Sequence, residues 1–600
     1  MDSSMSKNVI GISALFHDSA CCLLKDGELV AAAEEERFSR IKHDPSMPKN
    51  AFRYCLKEGN LSIDEIDCIA FYENPTKKLS RQLWMAFTDP RLRTWDENFK
   101  LSETSRPERM IRKVLGYDGE IKFFDHHQSH AASAFFYSGF QDAAILTVDG
   151  VGEWATTSYG FASDSEIKIL EEVEFPHSLG LLYSTVTSYL GFEVNDAEYK
   201  VMGLAPYGQA KYLSQMQQLI SSGPKGQYQL EMKYFDFLRR DRMFSDEFIA
   251  LFGHPPRVPE SDLKQFHHDV ARSIQNLLEE ILLQKCEYLR SIADSDNLCM
   301  AGGVALNCVA NGKIARSSSF KRLFIQPAAS DAGGALGAAA LAHRELEKVH
   351  AKPVRMQHTY WGVSYTNSDV QNFLELATIP FEDFRGKNRE LIDETARRLS
   401  SGQVAGWFQG RMELGPRSLG ARSILGDPRG PEMRDRINAL VKMRESFRPF
   451  APAVLLEQSK LHFDLDHESP FMLETCNVIS NLDLPAVTHV DGSARVQTVS
   501  PESHPRFHDL LTAFERLTGC PILLNTSFNL RGEPIVCSPS DAISTFLRSN
   551  IDFLVIEDFL IDRNALDKSW ILEARERLSL LNKARAPRDG SVSHNIYTFF

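Results

Sequence analysis

Residues 123–152 read FFDHHQSHAASAFFYSGFQDAAILTVDGVG and contain the pattern that decides the fold of the N-terminal half. The alanine-rich part predicts a helix over 128–139, and the apolar run after it predicts a strand that ends at Asp149. His126 and His130 are four residues apart, so a helix places both on one face, close enough to share a metal ion. Asp149, at a glycine turn, adds a carboxylate ligand. The alternative is a helix that merely carries histidines, followed by an ordinary hairpin.

The size and composition of the chain limit the classes of protein to which it can belong. Six hundred residues predict two or more domains, because single cores seldom grow beyond about 250–300 residues. A net charge of −13 disfavours nucleic-acid and anionic-membrane partners. We expect no signal peptide and no membrane span, since no apolar run approaches the roughly 20 residues that cross a bilayer. The ten cysteines form no CxxC pair and have apolar neighbours, which indicates buried reduced thiols and a cytoplasmic protein.

Strands alternate with helices along the chain, which predicts a layered and largely parallel α/β architecture. The stretch 343–362 is charged and lacks periodicity, so it is the candidate linker between a domain over 1–355 and a second domain over 356–600. We find no internal repeat. Glu34–Glu36 are expected to form a solvated strand edge, because neighbouring strand residues face opposite ways. A predicted C-terminal amphipathic helix over 568–585 is a candidate contact in an oligomer.

Four turns of small residues in the first domain, at 17–20, 149–153, 302–307 and 330–337, predict a phosphate and nucleotide site, and the last three contain glycine. Small residues at a strand-to-turn junction let backbone amides approach an anion, and a helix N-terminus adds a favourable dipole. Asp331 begins one such helix and is placed to join the metal ligands. The alternative is tight strand–helix packing, which also selects glycine. The residues predicted to contact the nucleotide or its phosphates are Gly150, Gly152, Gly302, Gly303, Asn307 and Gly333.

Basic residues of the second domain predict an anion pocket in an otherwise acidic chain. Guanidinium groups bind phosphate and carbamate oxygens in pairs, and lysine adds a compact charge. The alternative is a solvated basic face, which the interleaved Phe447 and Phe450 disfavour. The residues predicted to line the pocket are Arg417, Arg422, Lys442, Arg448, Arg495 and Arg531, with Asn525 and Ser527 as polar contacts.

Several motifs in fixed order resemble those of the O-carbamoyltransferases of the nodulation and antibiotic-tailoring type, over nearly the whole chain. They are HHxxHAxSAF, DGxGE, EYKVMGLAPYG, GGVALN and SDxGGALGAA. The N-terminal domain of that family is similar to Kae1 proteins of the actin/Hsp70-like (ASKHA) superfold, and its second half is YrdC-like. The resemblance therefore implies an α/β protein with an actin/Hsp70-like, Kae1-like domain followed by a YrdC-like α/β domain.

The resemblance also implies roles for individual residues. It assigns His17 to carbamoyl transfer next to the acceptor, and Lys200 to the nucleotide or its phosphates. His127 points about 100° away from His126 on a helix, so it is predicted to contact a ligand phosphate rather than the metal. It implies Fe²⁺ as the metal, with Mg²⁺ or Mn²⁺ as alternatives. The residues that match its metal ligands are His126, His130, Asp149 and Asp331, and those that match its carbamoyl-phosphate and adenylate contacts are Lys442, Arg495 and Arg531.

The predicted reaction has two steps. ATP and carbamoyl phosphate form carbamoyl-adenylate in the second domain, and the carbamoyl group then passes to a hydroxyl of a small-molecule acceptor, as in secondary metabolism. His17 is expected to take the hydroxyl proton, since histidine is poised near neutral pH. The sequence does not identify the acceptor, although the aromatic and basic residues of 76–118 are predicted to line its site.

Other functions remain open at this point. An actin-like small-molecule kinase or ATPase would use the same phosphate turns, but it leaves the paired histidines and the basic second domain unexplained. A tRNA threonylcarbamoyl-type enzyme shares both fold types, and the charge of −13 argues against it. A metalloprotease is disfavoured because HxxxH here lacks the glutamate of HExxH. A non-catalytic ligand-binding scaffold would leave two polar sites without a purpose.

Overall fold

The computed structural model describes residues 6–88, 104–164, 166–238, 242–347, 353–442, 447–448 and 450–585. Its described residues divide into two compact units, unit 1 (6–35 and 43–356) and unit 2 (36–42 and 357–585). The predicted linker overlaps a helix at its start, and its central residues 348–352 lie outside the described residues. The predicted domain boundary therefore stays a prediction.

The strands of the described residues are numbered in chain order. Those of unit 1 are β1 (Asn8–Ser13), β2 (Ala20–Lys25), β3 (Glu28–Glu34), β4 (Cys68–Phe71), β5 (Glu120–Phe123), β6 (Asp142–Val148), β7 (Ala155–Ser163), β8 (Glu166–Glu174), β9 (Ile220–Ser222), β10 (Tyr228–Leu230), β11 (Asn297–Ala301) and β12 (Arg322–Ile325). Those of unit 2 are β13 (Glu382–Asp383), β14 (Ala405–Phe408), β15 (Arg422–Gly426), β16 (Ala451–Leu455), β17 (Cys476–Asn477), β18 (Ser493–Ala494), β19 (Gln497–Val499), β20 (Ile522–Ser527), β21 (Phe553–Ile556) and β22 (Phe559–Asp562).

The α-helices are numbered in the same way. They are α1 (Glu36–Ser39), α2 (Lys49–Gly59), α3 (Pro75–Thr88), α4 (Arg106–Met110), α5 (His126–Phe135), α6 (Leu179–Tyr189), α7 (Glu198–Leu204), α8 (Leu213–Gln217), α9 (Asp246–Phe252), α10 (Gln265–Ile292), α11 (Cys308–Ser317), α12 (Asp331–Glu347), α13 (Asn367–Leu376), α14 (Asn388–Ser400), α15 (Met433–Ile437), α16 (Ser459–His462), α17 (Pro505–Thr518), α18 (Pro539–Arg548) and α19 (Lys568–Arg585). Single turns of 3₁₀ or π type cover Ile63–Glu65, Ile111–Leu115, Ala205–Tyr207, Met232–Tyr234, Gly303–Leu306, Asn438–Lys442, Leu456–Gln458 and Arg563–Ala565.

In its described residues, unit 1 contains two five-stranded sheets with the same strand order, β3-β2-β1-β4-β5 and β8-β7-β6-β11-β12. In each sheet the first three strands pair antiparallel and the last two add in parallel. The expectation of largely parallel sheets is wrong in this respect. The predicted α/β class is confirmed.

Helices α5 and α12 lie against each other in unit 1, and this contact positions the candidate site. A Cβ on Gly337 of α12 would lie 1.7 Å from the carbonyl oxygen of Ser129 in α5, so only glycine permits this approach. Because α5 begins at His126 and α12 begins at Asp331, the close contact brings the N-terminal turns of both helices together. The histidine helix begins two residues earlier than the predicted range and ends at Phe135.

Unit 2 is built on one eight-stranded mixed sheet, in the order β13-β22-β21-β14-β15-β20-β16-β19. Its buried core includes Trp407 and Phe408 of the central strand β14. The α/β class predicted for the second domain is confirmed, whereas the more specific YrdC-like fold stays a prediction. The predicted C-terminal helix matches α19.

The segment Glu36–Lys42 belongs to unit 2 although it follows β3 of unit 1. Arg37 donates to the carbonyl oxygen of Gly415 at 2.9 Å, and Arg40 donates to the carbonyl oxygens of Pro534 and Ile535 at 2.7 and 2.6 Å. These long-range hydrogen bonds replace the bonds to water that the two guanidinium groups would otherwise make. No local sequence pattern predicts them.

Two further expectations have clear outcomes in the structure. The solvated edge predicted at Glu34–Glu36 is wrong, because all three residues are buried. The Glu35 carboxylate accepts hydrogen bonds from the backbone amides of Asn50 and Ala51 in the first turn of α2, which accounts for its burial. All ten cysteines are buried free thiols, as predicted. Every helix of the described ranges is too short or too polar to span a bilayer.

Candidate metal and transfer site

The predicted metal ligands converge at one point in unit 1. His126 and His130 come from α5, Asp149 follows β6, and Asp331 begins α12. One ligand atom from each of the four side chains lies within 4.8 Å of the others, and all four residues are buried. The fold therefore assembles residues that are up to 205 positions apart in the sequence, counted from 126 to 331.

The atoms of this cluster are arranged as a cation would require. Nε2 of His126 lies 3.0 Å from Nε2 of His130 and 3.1 Å from Oδ2 of Asp149. Oδ1 of Asp331 lies 3.6 and 3.8 Å from the two Nε2 atoms, and it is buried without a hydrogen-bond partner among the described residues. Two imidazole nitrogens with two carboxylate oxygens suit a divalent first-row metal ion. The residues thus fit the metal that was predicted, without distinguishing Fe²⁺ from its alternatives.

The electrostatics of the cluster point the same way. Burial lowers the pKa of His126, but the carboxylates of Asp331 and Asp149 outweigh it and raise that pKa to about 9. Burial raises the pKa of Asp149, whereas His126 and His130 hold it well below its usual range. The two buried carboxylates therefore favour a positive charge at the cluster, carried by a protonated histidine or by a metal ion. A metal ion would compete with protons for the imidazole nitrogens.

Three further groups hold the metal-type ligands in position. The backbone amide of Gly303 donates to Oδ1 of Asp149 at 2.8 Å, and the hydroxyl of Tyr72 donates to Oδ2 of Asp331 at 3.2 Å. The Glu153 carboxylate accepts from the backbone amide of His126 at 3.0 Å, at the start of α5. Such outer contacts orient metal ligands. Tyr72 and Glu153 were not among the residues predicted from the sequence, although Glu153 lies in the DGxGE motif.

His17 lies on the loop between β1 and β2, beside the cluster. Its Nδ1 is 3.2 Å from Oδ2 of Asp18 and 3.8 Å from Oδ2 of Asp331, and 23% of its side chain is exposed. Burial lowers the pKa of His17, but Asp331 and Asp18 outweigh it and raise the pKa to about 9. This differs from the near-neutral pKa that was expected, because the sequence did not show that two carboxylates flank the ring.

Several of the predicted nucleotide glycines have packing reasons for being glycine. Gly302 has a φ of +92°, and a Cβ there would lie 2.3 Å from the carbonyl oxygen of Val148. A Cβ on Gly333 would lie 2.3 Å from the carbonyl oxygen of Ala328. A Cβ on Gly152 would meet the ring of His126 at 3.0 Å, whereas nothing lies within 4 Å of one on Gly150. Their contacts with a nucleotide stay predictions.

Three polar residues predicted to bind the nucleotide have structural contacts. Nδ1 of His127 is 2.7 Å from the hydroxyl of Thr147, and burial holds the pKa of His127 well below its usual range, so the ring is neutral. Asn307 caps α11 by accepting from the amide of Ala310. The ammonium group of Lys200 lies 5.5 Å from the centre of the Phe192 ring.

Arg422, predicted as a ligand contact in the second domain, is enclosed by protein. Its guanidinium donates to four backbone carbonyl oxygens at 2.9–3.0 Å, and it stacks 3.5 Å from the centre of the Phe408 ring. The residue is fully buried. We therefore assign Arg422 a structural role and do not carry it into the proposed ligand site.

A polar loop in unit 2, residues 413–422, contains the predicted Arg417 and contacts the predicted Asn525, whose amide donates to the carbonyl oxygen of Ser418 at 3.3 Å. Oε1 of Glu413 accepts from the backbone amides of Leu419 and Ala421 at 2.8 and 2.7 Å. Gln497 donates to the carbonyl oxygen of Leu419 at 2.7 Å and accepts from Asn525 at 2.8 Å. Glu413 and Gln497 were not predicted, because the basic residues of these motifs are the ones that indicate an anion site, whereas an acidic or amide neighbour carries no such signal.

Buried polar atoms around this loop lack partners among the described residues. They are Oε2 of Glu413, Oγ of Ser418 and Oδ1 of Asn525. Buried polar groups normally have hydrogen-bond partners, so this set fits a ligand that offers both donors and acceptors. Glu413 and Asn525 contribute acceptor oxygens to this set, so the predicted anion pocket stays a prediction.

The remaining predicted residues of unit 2 differ in exposure. Arg417, Arg448 and Ser527 are half-buried, and Arg531 is exposed on the loop after β20. Lys442 ends the turn Asn438–Lys442, and its side chain lies outside the described residues. In unit 1, residues 89–103 of the predicted acceptor wall also lie outside them.

Comparison with known proteins identifies the family. Residues 8–340 match the carbamoyltransferase N-terminus, and residues 396–563 match the carbamoyltransferase C-terminus. The chain belongs to the carbamoyltransferase family. The family predicted from the sequence motifs is thereby confirmed, and the protein is a transferase enzyme.

Three relatives illustrate the breadth of the family. The carbamoyltransferase is 45% identical to the uncharacterized protein sll1178 of Synechocystis sp. over 94% of its own length and 98% of the relative's. It is 40% identical to the nodulation protein NolNO of Sinorhizobium fredii over 95% of its own length and 82% of the relative's. It is 28% identical to the 3'-hydroxymethylcephem-O-carbamoyltransferase of Amycolatopsis lactamdurans over 90% and 97% of the two lengths.

Proposed function

We propose that this carbamoyltransferase activates carbamoyl phosphate with ATP as carbamoyl-adenylate and transfers the carbamoyl group to a hydroxyl of a small-molecule acceptor of secondary metabolism. The observation that supports the transfer step is that Asp331 borders both His17 and the candidate metal ligands. Its two carboxylate oxygens lie 3.8 Å from Nδ1 of His17 and 3.6 Å from Nε2 of His126, and the side chain of His17 is partly exposed. The name of the relative from Amycolatopsis lactamdurans, which acts on a hydroxymethyl group, supports the same reaction type.

The activation step follows from the composition of the intermediate. Water releases phosphate from carbamoyl phosphate and leaves carbamate, and a carbamate oxygen then attacks the α-phosphorus of ATP. The bond from the α-phosphorus to the pyrophosphate oxygen breaks, so pyrophosphate leaves. Basic side chains such as Arg495, with Lys442 and the half-buried Arg417 and Arg448, would balance the charge of these anions. Burial around loop 413–422 would protect carbamate from solvent.

The transfer step uses His17 as the proton acceptor. The hydroxyl oxygen of the acceptor attacks the carbamoyl carbon, the bond from that carbon to the adenylate oxygen breaks, and AMP leaves. The hydroxyl proton passes to Nε2 of His17. A divalent ion held by His126, His130, Asp149 and Asp331 would supply Lewis-acid polarisation there. Its charge would also offset Asp331, which otherwise raises the pKa of His17.

The proposal is tested with the full chain, loaded with Fe²⁺ in one arm and Mg²⁺ or Mn²⁺ in others. ATP and carbamoyl phosphate are supplied first without an acceptor, and pyrophosphate, phosphate and AMP are measured. A panel of hydroxylated compounds, including 3'-hydroxymethylcephem, is then screened by mass spectrometry for the gain of one carbamoyl group. Release of pyrophosphate that requires carbamoyl phosphate, followed by carbamoylation of a hydroxyl, is the expected result.

The same experiment separates the alternatives. Phosphorylation of an acceptor by ATP without carbamoyl phosphate would favour the kinase. Carbamoylation of threonine and its attachment to tRNA would favour the tRNA-modifying enzyme. Failure to release pyrophosphate under any metal would contradict the proposed activation step.

A further inference from the structure

Acidic and imidazole side chains alternate in a line that leads away from His17 in unit 1. Oδ2 of Asp18 lies 3.2 Å from Nδ1 of His17, and Oδ1 of the same carboxylate lies 2.6 Å from Nδ1 of His43. Nε2 of His43 lies 3.1 Å from Oδ1 of Asp196. The four side chains are half-buried, with 18–31% of each exposed. Three of them, Asp18, His43 and Asp196, have no part in the chemistry described so far.

The hydrogen positions in this line follow from the partners. Both ring nitrogens of His43 face carboxylate oxygens, and an ionised carboxylate only accepts, so both nitrogens carry hydrogen. The Asp18 carboxylate is thereby fixed by His43 through Oδ1, and its Oδ2 is left to accept from His17. His17 must then donate from Nδ1, which leaves the lone pair of a neutral ring on Nε2.

Backbone hydrogen bonds also hold the His17 loop against the segment that contains His43. The amide of Leu15 donates to the carbonyl oxygen of Pro45 at 2.8 Å, and the amide of Ser19 donates to that of Asp44 at 3.1 Å, so the His17 loop is bonded to the segment that follows His43. Asp18 and His43 both adopt the left-handed conformation, with φ of +48° and +54°. This conformation costs a non-glycine residue free energy, and such costs concentrate at functional sites.

We propose that Asp18, His43 and Asp196 are positioning residues, which hold His17 in the tautomer with hydrogen on Nδ1 and direct its Nε2 to the acceptor hydroxyl. The role of Nε2 rests on the proposed transfer reaction, whereas the tautomer does not. Asp18 acts on His17 directly. His43 and Asp196 act through Asp18, as a carboxylate–histidine pair orients a third group in other active sites.

The kinetic test compares His43→Gln and Asp196→Asn with matched controls of the same substitution type, His254→Gln and Asp294→Asn, at exposed positions of unit 1. We expect kcat for transfer to the acceptor found in the screen to fall about 10–100-fold in His43→Gln and Asp196→Asn, and further in Asp18→Asn. The KM for that acceptor and acceptor-free pyrophosphate release should stay within about twofold of wild type, because geometry at His17 affects only transfer. Wild-type kcat in Asp196→Asn, or equal loss of both half-reactions, would overturn the proposal.

A second measurement needs no acceptor. Long-range ¹H–¹⁵N correlation spectra of the full chain, labelled with ¹⁵N-histidine and loaded with diamagnetic Zn²⁺, report the tautomer of His17, whose signals are assigned from the His17→Gln variant. Hydrogen on Nδ1 is expected in the wild type, with the Nε2–H form gaining population in Asp18→Asn and Asp196→Asn. A wild-type ring protonated on Nε2, alone or together with Nδ1, would overturn the proposal. The two claims fail separately. Absence of pyrophosphate release would contradict the proposed function, whereas the spectra test the tautomer of His17 whether or not that function is correct.

Discussion

Nδ1 of His17 lies 3.8 Å from Oδ2 of Asp331, whose other oxygen faces both His126 and His130. One carboxylate therefore borders both the metal-type cluster and the histidine assigned to transfer. Because the two oxygens face different partners, substitutions can separate metal binding from proton transfer.

Metal binding should depend on the four clustered residues. His130→Ala or Asp331→Asn removes one of four ligands, so we expect the dissociation constant for Fe²⁺ or Mn²⁺ to rise at least about 100-fold. Titration calorimetry and the metal content after dialysis measure this. His268→Gln, at a half-exposed histidine of α10, is the control and should bind like wild type. Equal affinity in Asp331→Asn and wild type would contradict the assigned ligand set.

The hydroxyl of Tyr72 should contribute to metal affinity without touching the ion. Tyr72→Phe removes the hydrogen bond to Oδ2 of Asp331 but keeps the buried ring, so we expect affinity to fall about 10-fold. Tyr189→Phe is a matched control, because the hydroxyl of Tyr189 is also bonded, to the carbonyl oxygen of His254. Both variants are measured by the same calorimetric titration. A loss of affinity that is equal in the two variants would show a general packing effect instead.

His17 and Lys442 should separate the two half-reactions. His17→Asn is expected to keep release of pyrophosphate and to lower carbamoyl transfer at least about 100-fold, because only transfer needs its proton acceptance. Lys442→Ala should lower both, since transfer requires the adenylate. Lys460→Ala, at an exposed lysine of unit 2, is the control. Pyrophosphate and carbamoylated product are quantified from one reaction mixture. Full transfer by His17→Asn would remove the role given to His17.

The sequence predicted those parts of the site that depend on local patterns. Histidines four apart on a helix, and a carboxylate after a buried strand, are visible in 123–152 alone. Tyr72 and Asp196 were missed, because a tyrosine at a strand end and an aspartate in a loop have no distinguishing pattern. Their roles arise only when distant segments meet.

The fold shows the same limit. Alternating strands and helices indicated α/β, but the duplicated strand order of unit 1 leaves no visible sequence repeat, since two sheets can share an order while their side chains differ. The transfer of Glu36–Lys42 to unit 2 depends on hydrogen bonds between Arg40 and carbonyl oxygens almost 500 residues away, at positions 534 and 535. Such contacts belong to the tertiary structure and carry no local signal.

Unit 2 should lose stability in mild acid through His504. Its Nδ1 accepts from the amide of Phe507 and caps α17, and burial lowers the pKa of His504 to about 4. Between pH 6.5 and 4, His504 takes up a proton in the unfolded chain but stays neutral in the folded one. The free energy of unfolding therefore falls as pH falls through this range, by about 1–2 kcal/mol. His504→Asn keeps a capping side chain but does not titrate there. Its unfolding midpoint should change less between pH 7 and 5 than that of wild type, as measured by urea titration. An unchanged pH dependence would contradict this origin.

Arg422 should contribute to the stability of unit 2 through the shape of its guanidinium group and not through its charge alone. Arg422→Lys retains one positive charge but cannot donate to four carbonyl oxygens or stack on Phe408. Several buried carbonyl groups then lose their donor, so we expect the free energy of unfolding to fall by about 2–4 kcal/mol. Urea unfolding measures this, with Arg434→Lys, at a partly exposed position of α15, as the control. If Arg422 instead contacted carbamoyl phosphate, Arg422→Lys would raise the KM for carbamoyl phosphate while leaving the unfolding midpoint at the wild-type value. We expect the opposite pattern, because all four of those hydrogen bonds already lie within the protein.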